Sequence, residues 1–182
     1  MPLTEETGDL ISAILDRPND FADAHVAHGE TGQLLYGAGF SKRLKETFGE
    51  HIRGTLSGGA APPAHIQSSI PLPDAESEAD EEADDASAET LPERSWTLYT
   101  LIVKTERGVY LRLPDLQSCF NLLARTLPRG TTLHMPRIGC GQDGRNWERD
   151  VRPLVEEELA PHFDVHVWHF QERRRLVAGR VV

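Results

Sequence analysis

Between Thr131 and Leu159 the chain passes from a β-branched, apolar run into Met135-Pro136-Arg137-Ile138-Gly139-Cys140-Gly141-Gln142-Asp143-Gly144, and from there into a helix-like pattern. A strand that empties into a glycine-bearing turn before a helix is a unit of layered α/β folds, and it needs strands beside it and helices over it. The rest of the chain supplies both. Trp96 to Val103 is the strongest strand candidate; Ala24–Ala27, Thr131–Ile138 and Asp164–Phe170 are shorter or more mixed, each carrying β-branched or aromatic residues. A helix is predicted from Pro114, with Leu116, Phe120, Leu123 and Leu127 on one face and Pro128 with Gly130 as its stop. A second follows the glycine-rich turn, with Asp150 as N-cap, Pro153 in the first turn, and Val151, Leu154, Val155 and Leu159 facing inward. Lys42 to Phe48 closes an earlier helix. The alternation predicts α/β layering around a largely parallel or mixed sheet.

At 182 residues and 38% hydrophobic content the chain can bury one real core, and a single domain is expected over residues 1–56 and 95–171. The net charge of −10 does not describe that domain. It is concentrated in Asp74 to Glu93, which hold ten acidic residues and no basic one, so the remainder is roughly neutral. Residues 57–94 add Gly58-Gly59 and several prolines, and read as an acidic, largely flexible insertion with a short strand near His65 to Ile70. Residues 172–182 read as a basic tail carrying Arg173-Arg174-Arg175. Two cysteines, Cys119 and Cys140, are too few for a disulfide framework or a cysteine-rich zinc site. No basic start with an apolar run and no bilayer-length stretch is present, so a cytoplasmic protein without membrane contact is expected, as a monomer.

Three glycine-bearing stretches are candidates for ligand contact. Thr7-Gly8-Asp9-Leu10 places a carboxylate before a helix-compatible run, which by itself is the pattern of a cap. Tyr36-Gly37-Ala38-Gly39-Phe40, leading into Lys42-Arg43-Leu44-Lys45, can present backbone N–H groups to a phosphate or can be a simple loop. Gly139, Gly141 and Gly144 spell GxGxxG, but only one helix and one strand follow, which leaves no room for a Rossmann dinucleotide fold. What remains is a loop of amides that an anion can approach. Lys104 ends the apolar run of Leu98 to Val103, where it either snorkels to water or is partly desolvated and thereby made nucleophilic. Asp143 before Gly144 is either a turn residue or a proton carrier. Cys140 has no histidine partner that spacing identifies, and His134, His162, His166 and His169 alternate along strand candidates instead of gathering as a metal cage, so no metal and no cofactor are expected.

These segments resemble the macrodomain family, in particular its terminal ADP-ribose protein glycohydrolase branch. Met135 to Asp143 with Trp147-Glu148 is similar to that branch's phosphate loop, and Leu101-Ile102-Val103-Lys104 with Leu116-Gln117 to its lysine-bearing strand. Gly8-Asp9-Leu10 and Gly37-Ala38-Gly39 with Phe48-Gly49 fall where the family has its adenosine-side turn and first ligand loop. The resemblance implies a three-layer α/β/α macrodomain with a mixed central sheet, binding ADP-ribose or an ADP-ribosylated macromolecule, with nucleic acid a partner only when it is itself ADP-ribosylated. It implies Lys104 as nucleophile, attacking the anomeric carbon of the opened ribose, and Asp143 as its acid/base partner. It implies ligand contacts at Asp9, Leu10, Gly37, Ala38, Gly39, Pro136, Ile138, Gly139, Cys140, Gly141 and Gln142.

The sequence departs from the family in three places. Only Leu3 precedes Thr7-Gly8 as an apolar residue, which leaves the first edge strand short or missing; Glu30-Thr31-Gly32-Gln33 stands where a tighter approach to the first loop is expected; and the segment before Trp96 is longer than the family's hairpin. The leading function is an ADP-ribosyl glycohydrolase acting on acidic side chains, or also on O-acyl-ADP-ribose or nucleobases. A binding module needs the loops but not Lys104 and Asp143, and an interaction protein would work through the acidic insertion.

Overall fold

The computed structural model describes residues 3–34, 36–52, 62–72, 94–106 and 108–170. In chain order the elements are β1 (Leu3–Thr7), α1 (Leu10–Asp16), a 3-10 turn (Pro18–Phe21), β2 (His25–Thr31), α2 (Gly39–Phe48), β3 (Ala64–Pro71), β4 (Ser95–Lys104), α3 (Leu113–Thr126), β5 (Thr132–Pro136), a π-helical turn (Trp147–Val151) that continues as α4 (Arg152–Glu158), and β6 (Asp164–His169). The six strands form one sheet in the order β1-β6-β5-β2-β4-β3. Neighbours pair in parallel from β1 through β4, and β3 closes the edge antiparallel to β4, so the sheet is mixed.

Alternate residues of a strand leave opposite faces of a sheet, and here each face fills its own apolar cluster. Tyr99, Leu101 and Val103 of β4 pack with Leu116, Phe120 and Leu123 of α3 and Val155 of α4. Trp96 and Leu98 of the same strand pack instead with Ile11 and Ile14 of α1 and with Leu44 and Phe48 of α2. The result is the three-layer α/β/α architecture. Helix α3 follows its sequence pattern closely, with Leu116, Phe120 and Leu123 fully buried and Leu127 at its C-cap. Truncating any one of these three to alanine should cost about 3 kcal/mol.

Several elements differ from the sequence expectation, each for a physical reason. The first edge strand is present: five residues pair in parallel with β6 from Leu3↔Val165 to Thr7↔His169, and Glu5 adds ion pairs with Arg137 and Arg152. Strand β2 runs on past Ala27 to Thr31, burying the polar His28, Glu30 and Thr31. Asp150 is not the N-cap of the last helix. Asn146 is, accepting from the Arg149 amide at 2.9 Å while Asp150 Oδ2 accepts from the Asn146 amide at 3.0 Å; that reciprocal pair satisfies donors a full turn ahead of the apolar run. Leu154, expected inside, is half-buried. The strand predicted near His65 to Ile70 is β3; the acidic run 74–93, Gly58-Gly59 and the tail 172–182 lie outside the described residues.

One irregularity in the sheet concerns the site directly. Along β2 and β4 the register slips by one residue: Glu30 pairs with Ile102 but Thr31 with Lys104, which leaves Val103 without a partner on β2. Such a step is a β-bulge, and it re-aims the side chains beyond it.

Candidate functional site

Strands β5, β2 and β4 are neighbours in the middle of the sheet and run in parallel, so their carboxyl ends converge on one edge. A cleft of about 220 Å³ opens there. Such a crevice at the carboxyl ends of parallel strands is the usual place for a ligand in an α/β fold. The end of β2 contributes His28 to Thr31, the first glycine loop Gly37 to Gly39, the start of α2 Phe40 and Ser41, β4 Val103 and Lys104, and the second loop Pro136 to Gly139 with Gly141 to Asp143.

Lys104 and Asp143, 39 residues apart in sequence, meet in this cleft: Nζ donates to Oδ1 at 2.6 Å, and both side chains are more than four-fifths buried. The Lys104 carbonyl is held by the Gly32 amide at 2.8 Å, which fixes the strand end from which the amine emerges. A short ammonium–carboxylate contact of this kind is also a proton path, since the carboxylate can take a proton from nitrogen without either group moving far.

The second loop is braced from within. Arg145 donates through its amide to the Gly139 carbonyl at 3.0 Å, and through its guanidinium to the Leu111 carbonyl, with Nε at 3.1 Å. The Gly144 amide closes a turn on the Gly141 carbonyl at 3.0 Å. Gly139 takes φ +76°, and a Cβ there would strike the Leu111 side chain, so glycine is required by conformation and by crowding together. Further into the cleft floor, a Cβ on Gly29 would come within 2.7 Å of Ile138 Cγ2, which brings β2 and the second loop into close contact.

The first loop rests on a buried histidine. The His28 ring lies 5.8 Å from Tyr36 and 5.9 Å from Phe40, with Nε2 2.9 Å from Thr100 Oγ1 and Nδ1 3.3 Å from Ser41 Oγ. Burial pushes His28 down to about 4, against a small opposing hydrogen bond at Gly29, so the cleft floor carries a neutral imidazole at physiological pH. The amides of Gly39 and the first turn of α2 have no partner within the helix and point donors outward.

Of the residues expected from sequence to meet a ligand, Lys104, Asp143, Gly37, Ala38, Gly39, Pro136, Ile138, Gly139, Gly141 and Gln142 line the cleft together. Asp9, Leu10 and Cys140 do not. Asp9 caps α1, accepting from the Ser12 amide and hydroxyl at 3.1 and 2.6 Å, and pairs with Arg43. Burial alone would raise its carboxyl, but the Ser12 and Arg43 contacts prevail and hold it below the usual carboxylate range. Leu10 is 2% exposed and belongs to the apolar layer under α1. Cys140 turns towards the opposite core layer, and burial pushes its thiol up to about 11, with Arg137 opposing, so it is no thiolate nucleophile. The sequence reading missed His28, Gly29, Glu30, Thr31 and Ser41. For the β2 residues the one sequence signal is a largely polar set continuing a strand that otherwise reads as ending at Ala27; Ser41, at the start of α2, carries none. Among the described residues no group of three or more His, Cys, Asp or Glu can hold a metal ion, and no helix is long and apolar enough to cross a membrane.

No family model matches the sequence, and no curated protein matches it at a significant level. Solved structures do. The macrodomain of Thermus aquaticus DarG superposes with a TM-score of 0.58 at 13% identity, over 94% of this chain and 99% of that one. The macrodomain of Mycobacterium tuberculosis DarG gives 0.53 at 12% identity, over 92% and 97%. Thermosipho africanus DarTG, solved in complex with ADP-ribose, gives 0.55 at 13% identity, over 96% of this chain and 43% of that one. Such identities speak for the fold alone, and the fold is that of a macrodomain, three-layered with a mixed central sheet.

Proposed function

We propose that the chain is an ADP-ribosyl glycohydrolase of the terminal ADP-ribose branch, which binds ADP-ribose in the central cleft and releases it from aspartate or glutamate side chains. The observation that carries this reading is the 2.6 Å contact of Lys104 Nζ with Asp143 Oδ1 in a cleft walled by two glycine-bearing loops. The likeness in fold to a protein solved with ADP-ribose supports the choice of ligand. In this reading the diphosphate lies against the amides of Gly37 to Gly39 and of Ile138 to Gln142, which donate and carry no negative charge. The distal ribose then lies over Lys104 and Asp143. A cleft of about 220 Å³ is smaller than the roughly 300–1,000 Å³ typical of small-molecule sites, so the ligand extends beyond it. The adenosine end runs towards Asp9 and Arg43, where the half-exposed Phe170 ring lies 5.8 Å from the guanidinium and offers a face for stacking.

The chemistry follows from the pair. An ammonium does not attack, so Asp143 first takes a proton from Nζ. The amine then bonds to the anomeric carbon of the still-closed ribose, ahead of the ring opening that the resemblance places first, as that carbon's bond to the acceptor oxygen breaks, and the acceptor leaves with the electron pair as a carboxylate. Opening of the ribose ring, with its oxygen taking a proton, leaves an imine between the carbon and Nζ. Water adds to the imine carbon, and the amine departs and takes back the proton held by Asp143, so the pair is restored and one water is consumed for each ADP-ribose released.

The test is release of ADP-ribose from a substrate automodified on aspartate and glutamate. Lys104→Ala should lose about 10³-fold in rate while its ADP-ribose Kd stays within about threefold, because nucleophile and phosphate contacts are separate. Borohydride should trap an adduct on the wild-type chain by reducing the imine. A Lys104→Ala rate equal to wild type removes Lys104 as nucleophile; wild-type binding without any release makes the chain an ADP-ribose-binding module instead.

A further inference from the structure

We infer that Val109 and Tyr110, in the loop that leads from Lys104 to α3, form the docking surface for the polypeptide that carries the ADP-ribose. The inference rests on the glycohydrolase reading above and concerns the acceptor side of that site. Among the described residues the exposed large apolar side chains are Leu15, Val109, Tyr110 and Phe170. Two of these are neighbours in one loop, and Tyr110 is 80% exposed. A lone exposed apolar residue is ordinary on a protein surface, but an adjacent pair held firmly beside a reactive centre calls for a partner. The hold comes from the next residue. Leu111 is wholly buried, its side chain fills the space where a Cβ on Gly139 would go, and its carbonyl accepts from Arg145 Nε at 3.1 Å.

That anchor keeps Tyr110 one residue from the wall of the second loop, and Val109 follows Lys104 by five residues, yet neither lines the cleft. In the proposed reading the diphosphate lies on the glycine loops and the anomeric carbon at Lys104, so the acceptor bonded to that carbon leaves past the tip of β4. The loop that departs from that tip stands there to meet it. Charge decides between macromolecules. A nucleic acid is gripped by basic groups that neutralise its phosphates. Here Arg112 is matched by Asp115 at 3.6 Å, Arg145 is turned onto the Leu111 carbonyl and Lys104 onto Asp143, while Glu106 adds an exposed carboxylate. The described part of the loop therefore offers a phosphodiester backbone no unmatched cation. A tyrosine beside a valine suits the residues flanking a modified aspartate or glutamate: the ring covers aliphatic side chains, the hydroxyl reaches peptide groups, and two side-chain torsions cost little to fix.

Steady-state release by the full chain from a protein automodified on aspartate and glutamate separates docking from chemistry. Tyr110→Ala should raise KM about tenfold and leave kcat and the Kd for free ADP-ribose within about twofold, since free ADP-ribose carries no acceptor. Val109→Ser should raise KM about threefold, and Tyr110→Phe, which keeps the ring, should recover most of the loss. A fall in kcat at unchanged KM, a loss of ADP-ribose affinity, or wild-type kinetics in Tyr110→Ala overturns the inference while the proposed function stands. So does a Tyr110→Ala loss seen on an ADP-ribosylated oligonucleotide and not on the protein, which gives the loop to nucleic acid. A wild-type chain that releases no ADP-ribose from the protein overturns the proposed function and the inference with it.

Discussion

At Gly139 a Cβ would run into Leu111, whereas at Gly37 and Gly39 nothing among the described residues stands within 4 Å of where a Cβ would go. The second loop is pinned by Arg145 on Leu111 and by turns closing on Gly139 and Gly141. Among the described residues the first has no comparable brace and leans on the His28 ring through Tyr36 and Phe40. Two glycine signatures that look alike in sequence thus record different constraints. Gly139 answers to crowding inside the molecule, whereas Gly37 and Gly39, like Gly141 and Gly144, stand open among the described residues. Under the proposed function, the braced loop would keep the reacting groups in place and the open loop would admit the ligand.

The largest effect should come from the braced loop. Asp143→Ala should lower ADP-ribose release about 10³-fold with binding largely kept, measured by single-turnover release and calorimetry; a loss confined to binding would erase the division of labour between the loops. Next comes acid. The folded-state value of His28, about 4, lies below the 6.5 of a free imidazole, so folding favours the neutral ring. Its contribution is complete above pH 6.5 and is lost as pH falls towards 4. His134, also pushed down to about 4 by burial and then by His166, adds a slope of the same sign. Urea unfolding should therefore weaken between pH 7 and 4.5, His28→Gln should flatten part of that slope, and hydrogen exchange should show residues 36–41 loosening before 139–145. Gly139→Ala should destabilise the fold by about 2 kcal/mol, from positive φ and crowding together; wild-type stability in that variant would mean the loop is not braced as described. Smallest of all, Gly37→Ala should leave unfolding within about 0.5 kcal/mol of wild type and weaken ADP-ribose binding about fivefold.

What could be read in the sequence was what short range decides. Strand β4, helix α3 and the strand–loop–helix from Thr132 onward announce themselves through period, capping and glycine placement. Lys104 and Asp143 were visible as candidates, yet their contact depends on the sheet order, which places β5 and β4 on either side of β2. Strand β1 was hard to read because backbone pairing with β6 and the ion pairs of Glu5 hold it, not apolar content. His28, Glu30 and Thr31 went unread because polar residues in a run suggest a loop, and only the surrounding tertiary structure buries them. At Leu10 and Cys140 short-range pattern does not show packing: the side chains lie against the apolar layers, which only the tertiary structure defines.

The step that leaves Val103 unmatched on β2 has a geometric consequence. In an unbroken pleat, consecutive residues point to opposite sides, yet Val103 and Lys104 both reach the cleft. At the skipped position β4 gains one residue on β2, so that Lys104 and not Val103 stands opposite Thr31 at the tip of the strand. Loss of any one residue along β4 would throw that register by half a period and carry the ammonium into the oily layer beneath α3, so the placement of a single charge is encoded in the counting of the strand as well as in its chemistry.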